Sequence, residues 1–190
     1  MQFTKAEFVK SLPRAEDLPD DGRPLVAFVG RANVGKSSLI NTLVQQNGLS
    51  RVSATPGRTQ LINLFSVGTA LYLVDLPGYG YSKVGKEKQH GFHQLIHDFL
   101  TQAEELRLVV VIIDARIGLT DLDREMLEML EGLKLSAVIV ANKMDKLSKT
   151  EGRGAIQAIE SEFNAVVIPH SNVTGAGRGA LIEQIEQAAR

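Results

Sequence analysis

A glycine-rich turn set between an apolar run and an amphipathic run constrains this chain more than any other feature. Leu25 to Val29 is uninterrupted apolar sequence, followed by Gly30-Arg31-Ala32-Asn33-Val34-Gly35-Lys36-Ser37 and then by Leu39, Ile40, Leu43 and Val44 at helical spacing. That order reads as strand, phosphate-cradling loop, helix. Gly30 and Gly35 allow successive backbone N–H groups to turn inward, and the helix N-terminus adds its positive dipole. Lys36 is placed to reach the β- and γ-phosphates, and the Ser37 hydroxyl to ligate Mg²⁺. The whole loop, with Arg31, Ala32 and Val34, is a candidate nucleotide contact. By itself it says only that a nucleotide binds.

The rest of the chain alternates strands and helices. Gln60 to Ser66 and Ala70 to Asp75 read as strands joined by the turn Val67-Gly68-Thr69. Phe92, Leu95, Ile96, Phe99 and Leu100 form a helical stripe, and Leu108 to Asp114 is a β-branched strand. Asp121 is expected to cap a helix with Leu122, Met126, Met129, Leu130 and Leu133 facing the core. Ala137 to Ala141, Glu151 to Phe163, Ala165 to Pro169 and Arg178 to Ala189 complete the alternation as strand, helix, strand and helix. An α/β fold follows, with a mostly parallel sheet covered on both faces and ligand loops at the carboxyl ends of its strands. Residues 1–22 read as a lead-in segment, with a short helix around Thr4 to Lys10, and 23–190 as the nucleotide-binding domain.

Three further patches fall in register with the phosphate loop. Asp75-Leu76-Pro77-Gly78 ends a strand with a carboxylate able to hold the Mg²⁺ shell, and the Gly78 N–H can meet the γ-phosphate. Lys36 and Gly78 are therefore the candidate catalytic groups, acting by stabilising charge. The polar loop before the second strand contains Gly57, Arg58, Thr59, Gln60 and Leu61, all candidate nucleotide contacts. Its Thr59 hydroxyl is the favoured second Mg²⁺ ligand, with Thr55 as the competitor. Asn142-Lys143-Met144-Asp145 follows a strand, and a carboxylate at Asp145 can accept from both guanine N1–H and N2–H₂, a donor pair that adenine lacks. Lys143 would lay its stem across the base. His170, Ser171 and Asn172, after the last strand, would complete the base pocket. Together these patches specify GTP or GDP.

Composition narrows the setting. With no cysteine among 190 residues, thiol catalysis, disulfides and cysteine-linked lipid anchors are excluded. No apolar run approaches the ~20 residues that span a bilayer, so a cytoplasmic protein with no membrane partner is expected. Net charge is −1, but Arg23 to His90 holds eight Lys/Arg against two acids, while 101–190 holds ten against fourteen. The basic stretch either balances bound phosphates or faces a polyanion. His93 and His97, four apart on one helix, lack a third ligand and read as a solvated face.

The chain resembles the TRAFAC GTPases, and specifically the EngB (YihA/YsxC) family, along essentially its whole length. The marks are Gly30 to Ser37, Ala54-Thr55-Pro56-Gly57-Arg58-Thr59-Gln60, Asp75-Leu76-Pro77-Gly78-Tyr79-Gly80-Tyr81 and Thr120-Asp121-Leu122-Asp123. The resemblance implies a three-layer Ras-like P-loop GTPase fold, with a mostly parallel six-stranded sheet and one antiparallel hairpin strand. It implies a GTPase assisting large ribosomal subunit assembly and needed for division and septation, acting as a monomer on ribosomal RNA or proteins rather than DNA. A division scaffold without an RNA role is the alternative. Two positions depart from the family: Asn142 where many relatives have Thr, and Asn172 where they have Ala or Ser. Tyr79 stands where many GTPases place a water-orienting Gln, so unaided hydrolysis is expected to be slow. In related GTPases an Asn at the position of Asn33 coordinates K⁺, against which stands a plain turn role. Tyr79 and Tyr81 either pack beneath the loop or present rings to RNA.

Overall fold

The computed structural model describes residues 1–50, 61–80 and 86–190, with only the backbone of 86–90 and Phe92. Strands β2 (Leu25–Gly30) and β5 (Leu106–Asp114) form its centre, running parallel with Val26 opposite Leu108 and Val29 opposite Val111. Successive strand side chains point to opposite faces. Ala27, Val29, Val109, Val111 and Ile113 enter one apolar cluster, and Val26, Phe28, Val110 and Ile112 the other. Helices cover both faces, which is why these strands are apolar at nearly every position rather than every second one.

On the first face, α2 (Lys86–Gln102) contributes Ile96 and Phe99, α3 (Asp121–Gly132) Met126, Leu127 and Leu130, and α4 (Lys149–Glu162) Ile159. On the second, α1 (Lys36–Val44) contributes Leu39, Ile40, Leu43 and Val44, and α5 (Arg178–Ala188) Leu181 and Ile185. Arg178 ties those two helices, its Nε donating to the carbonyls of Thr42 (3.1 Å) and Leu43 (2.9 Å) at the end of α1. A cation at a helix C-terminus also complements the helix dipole. The cap of α3 is Thr120 rather than Asp121, which is the first helical residue.

The remaining strands are β1 (Ala6–Leu12), β3 (Ile62–Val67), β4 (Leu71–Asp75), β6 (Ala137–Asn142) and β7 (Val166–Pro169). Their order is β1-β3-β4-β2-β5-β6-β7. Among the described residues only the pairs that involve β3 are antiparallel, so β3 is the one strand there that is reversed. Among the described residues the sheet has seven strands and not the expected six. The extra one is β1, where a short helix around Thr4 to Lys10 was expected. Without it, the outer edge of β3 would present unpaired backbone groups, and β1 satisfies them from Ala6 opposite Val67 to Leu12 opposite Ile62. Buried Ala6 and Leu12 pin its two ends, and the Gln46 amide donates to the carbonyls of Thr4 and Ala6.

Chain order reverses at β2, with β4 on one side and β5 on the other. Such a reversal opens a crevice at the carboxyl ends of the strands. The loops after β2, β4, β5, β6 and β7 all emerge there.

Candidate nucleotide site

The phosphate loop is shaped by positions that only certain residues tolerate. Gly35 has φ +100°, and a Cβ there would lie 2.5 Å from Asn142 Nδ2 and 2.8 Å from Asn172 Nδ2. Asn33 also has positive φ, +67°, a conformation Asn adopts more readily than most residues. Three side chains grip the loop's carbonyls from behind. Asn142 Nδ2 donates to Val34 O (2.8 Å), Lys143 Nζ to Asn33 O (2.8 Å) and Asn172 Nδ2 to Gly35 O (3.0 Å). The first amides of α1 have no carbonyl partner within the helix. The loop therefore offers N–H groups at the start of α1, with Ser37 in its first turn.

Across from it, the Lys36 ammonium pairs with the Asp75 carboxylate, both largely shielded from water. The second oxygen of Asp75 accepts from Ser50 Oγ at 3.1 Å. Ser50 is buried and clasped by Asn41, whose side chain donates to its carbonyl (2.8 Å) and accepts from its N–H (2.7 Å). Leu76 and Pro77 are buried, and Gly78 passes so close that a Cβ would meet Ala32 N at 3.3 Å. Backbone bonds fasten this loop to the phosphate loop: Ala32 N–H to Tyr79 O (3.0 Å) and Tyr79 N–H to Gly30 O (3.3 Å). Tyr79 is buried and its hydroxyl reaches Asp123 at 3.0 Å, so it packs beneath the loop.

The base-reading side is a second pinned cluster. Asn142 is buried, with its Oδ1 3.3 Å from Nδ1 of His170. Burial of His170 lowers its pKa to about 4, which keeps the ring neutral at physiological pH. Lys143 has φ +68°, and its ammonium also reaches Asp114 Oδ2 at 2.9 Å. Burial would raise the pKa of Asp114, but hydrogen bonds from Arg116 and Lys143 outweigh it and hold the carboxyl well below the usual range. Asp145 accepts from Ser171 Oγ at 2.7 Å, which lowers its pKa and keeps a carboxylate at the pocket. Ser171 Oγ in turn accepts from the N–H groups of Val173 and Thr174, both at 3.2 Å. The Met144 N–H donates to His170 O at 3.1 Å, joining the two base loops. A polar cleft of about 460 Å³ lies beside Asn172, between Ser38, Asn41 and Thr42 of α1 and Arg178 of α5.

Gly57, Arg58, Thr59 and Gln60, the rival Thr55, and Tyr81 lie outside the described residues, and Leu61 is exposed just before β3. All other candidate residues gather at the one crevice. Four contributors escaped sequence reasoning: Ser50, Asp114, Arg116 and the role of Asp123. Asp114 had a legible signal, since it ends a buried strand just as Asp75 does. Ser50 had none, because its partner Asp75 lies twenty-five residues away.

A family model described as 50S ribosome-binding GTPase matches residues 25–143. The probable GTP-binding protein EngB of Chlorobaculum parvum is 44% identical over 188 residues, covering 98% of each chain. That of Pelobacter propionicus is 48% identical over 151 residues, covering 80% of this chain and 76% of the relative. Among solved structures, a probable GTP-binding protein engB superposes with a TM-score of 0.74 at 25% identity, covering 87% of this chain and 98% of the other. Era in complex with MgGDPNP and 16S ribosomal RNA shares the fold, with a TM-score of 0.69 at 24% identity over 87% of this chain and 56% of Era.

Proposed function

Because this chain belongs to the EngB family of GTP-binding proteins and is a GTPase, we propose that its GTP cycle assists assembly of the large ribosomal subunit. We take it to act in the cytoplasm as a monomer, with division and septation depending on that assembly. The observation that carries the site assignment is the triple grip on the phosphate loop. Asn142, Lys143 and Asn172 hold three consecutive carbonyls of the loop from the base-reading side. Base and phosphates are then read by one connected unit. Asp145, kept ionised by Ser171, accepts the two guanine donors, and Lys143 flanks the ring.

The donor set fits a hard divalent cation: the Ser37 hydroxyl and the buried Asp75 carboxylate are oxygen ligands of the kind Mg²⁺ selects. Mg²⁺ held by Ser37 and Thr59, with Asp75 in its outer shell, would neutralise charge on the β- and γ-phosphate oxygens. Lys36 would turn from Asp75 toward those phosphates, and the Gly78 N–H would donate to the third. Tyr79 cannot orient a water molecule, because its hydroxyl is committed to buried Asp123. Unaided hydrolysis is therefore slow; the ribosomal partner would supply the missing group, and a K⁺ held by Asn33 would add positive charge beside the phosphates. The basic stretch from Arg23 to His90 suits a ribosomal RNA surface.

Sedimentation with large-subunit precursor particles tests the partner. We expect more protein bound with a non-hydrolysable GTP analogue than with GDP, and less as KCl rises. Failure to co-sediment in either nucleotide state would defeat the ribosomal reading and favour the division scaffold.

A further inference from the structure

Asp123 has no part in the nucleotide contacts above, yet it is a carboxylate with 0% exposure on the first turn of α3. A charge so placed is costly unless hydrogen bonds surround it. Four donors do so. Two are local, the N–H (3.0 Å) and hydroxyl (2.7 Å) of Thr120 to Oδ2. The other two come from the nucleotide loops: Arg31 Nε to Oδ2 at 3.0 Å and the Tyr79 hydroxyl to Oδ1 at 3.0 Å. Arg31 belongs to the phosphate loop, and Tyr79 directly follows Gly78.

The same segment is held on its other sides. Both backbone groups of Tyr79 bond to the phosphate loop, to Ala32 N and Gly30 O. Gly80, with φ +74°, lies so near α3 that a Cβ would meet Leu122 at 2.7 Å. Burial and the Asp123 carboxylate both push the Tyr79 phenol pKa up, so it stays the donor. Among the described residues Arg31 Nη2 is buried without a partner, and Nε aligns the guanidinium on Asp123. One carboxylate thus fixes both loops that would meet the terminal phosphate.

We propose that Asp123 is a positioning residue for γ-phosphate recognition, holding the Gly78 amide and the phosphate loop in one preformed arrangement through Tyr79 and Arg31. The proposal rests on the guanine-nucleotide reading of the site. Its physical basis is that a donor already in place loses little entropy on binding. The position after Gly78, which in many GTPases orients water, here serves as an anchor instead. GDP, lacking the third phosphate, does not meet the Gly78 amide and depends on the anchor far less.

The test compares Tyr79→Phe, Asp123→Asn and the double variant by titration with GDP, ADP and a non-hydrolysable GTP analogue, alongside thermal unfolding. Tyr79→Phe keeps the ring and removes one bond. Asp123→Asn keeps the shape without stranding Arg31 as Ala would. Loss of a hydrogen bond to a buried carboxylate should weaken the GTP analogue about tenfold in either single variant while GDP stays within about twofold. The double variant should lose no more than the larger single effect, since the bond that Tyr79→Phe removes is one of those Asp123 makes. An unmoved ratio of GTP-analogue to GDP affinity overturns the proposal. So does a parallel fall of both affinities with the melting temperature, which is what a merely structural contact would give. A wild-type protein that does not prefer GDP to ADP would sink the guanine reading itself and the proposal with it.

Discussion

The two sides of the phosphate loop are held by different kinds of contact. On the base side, the amides of Asn142 and Asn172 and the ammonium of Lys143 donate to loop carbonyls, which a phosphate has no use for. On the γ-phosphate side, Lys36 is engaged by Asp75, although a phosphate and a cation would each claim one of that pair. The first side can stay as it is when a nucleotide binds, and the second must exchange partners. Base recognition is thus built in advance, whereas on the phosphate side the backbone amides are in place but the Lys36–Asp75 pair must part before either group can serve. A switch needs that asymmetry: one end grips through the whole cycle while the other responds to a single phosphoryl group.

Breaking the fixed side should give the largest effect. Asp145→Asn can still accept from Ser171 and so preserves the loop, but it presents a donor toward guanine N1–H or N2–H₂. At ~1.5–3 kcal/mol per charged hydrogen bond, GDP binding should weaken more than tenfold. Xanthosine diphosphate, with an oxygen at C2, should gain. Undiminished GDP affinity by calorimetry would remove Asp145 from the base site.

A smaller loss is expected from Asn172→Ala, which cuts one of the three carbonyl grips. A neutral hydrogen bond contributes ~0.5–1.5 kcal/mol, so GDP should dissociate roughly three to ten times faster. Because base and phosphates share the loop, inorganic pyrophosphate should compete less well too. If only base discrimination changed, the grip would not couple the two halves.

The responding side is sharpened by monovalent cations. With K⁺ at Asn33, hydrolysis should run a few-fold faster in KCl than in NaCl at equal ionic strength, because positive charge sits where the transition state gathers negative charge. Asn33→Ala should erase the difference with GDP affinity nearly intact. Equal rates in the two salts would leave Asn33 a turn residue.

A pH dependence of stability, rather than of binding, belongs to the base side. The folded pKa of His170 is about 4, below the unfolded value near 6.5. Between those values the unfolded chain binds the extra proton, so stability is complete above about pH 6.5 and declines as pH falls toward 4. Melting temperatures across that window should follow the uptake of about one proton on unfolding. His170→Gln should flatten that part of the profile. An unchanged slope would mean that other groups set it.

The fold was legible wherever signals are short in range. Buried parallel strands such as β5 and β6 announce themselves as β-branched runs, and α1 by its apolar stripe. Gly30 and Gly35, five apart between them, mark the phosphate loop without any knowledge of the rest. The misjudged segment, Ala6 to Leu12, has no strong periodicity, and five of its seven residues are exposed. Its conformation is set by a partner fifty to sixty-one residues on, through the open edge of β3.

The sequence alone determined the order of loops, the elements between them and the chemistry each loop can offer, because steric limits on glycine and the period of apolar residues act over a few positions. Only the tertiary structure decided that Tyr79 points inward, that Asp123 receives Arg31 and Tyr79, and that Ser50 braces Asp75. Those choices join residues twenty-five to ninety-two positions apart. They arise from the need of each buried polar group for a partner, and which partner is in reach is known only once the sheet has brought the loops together.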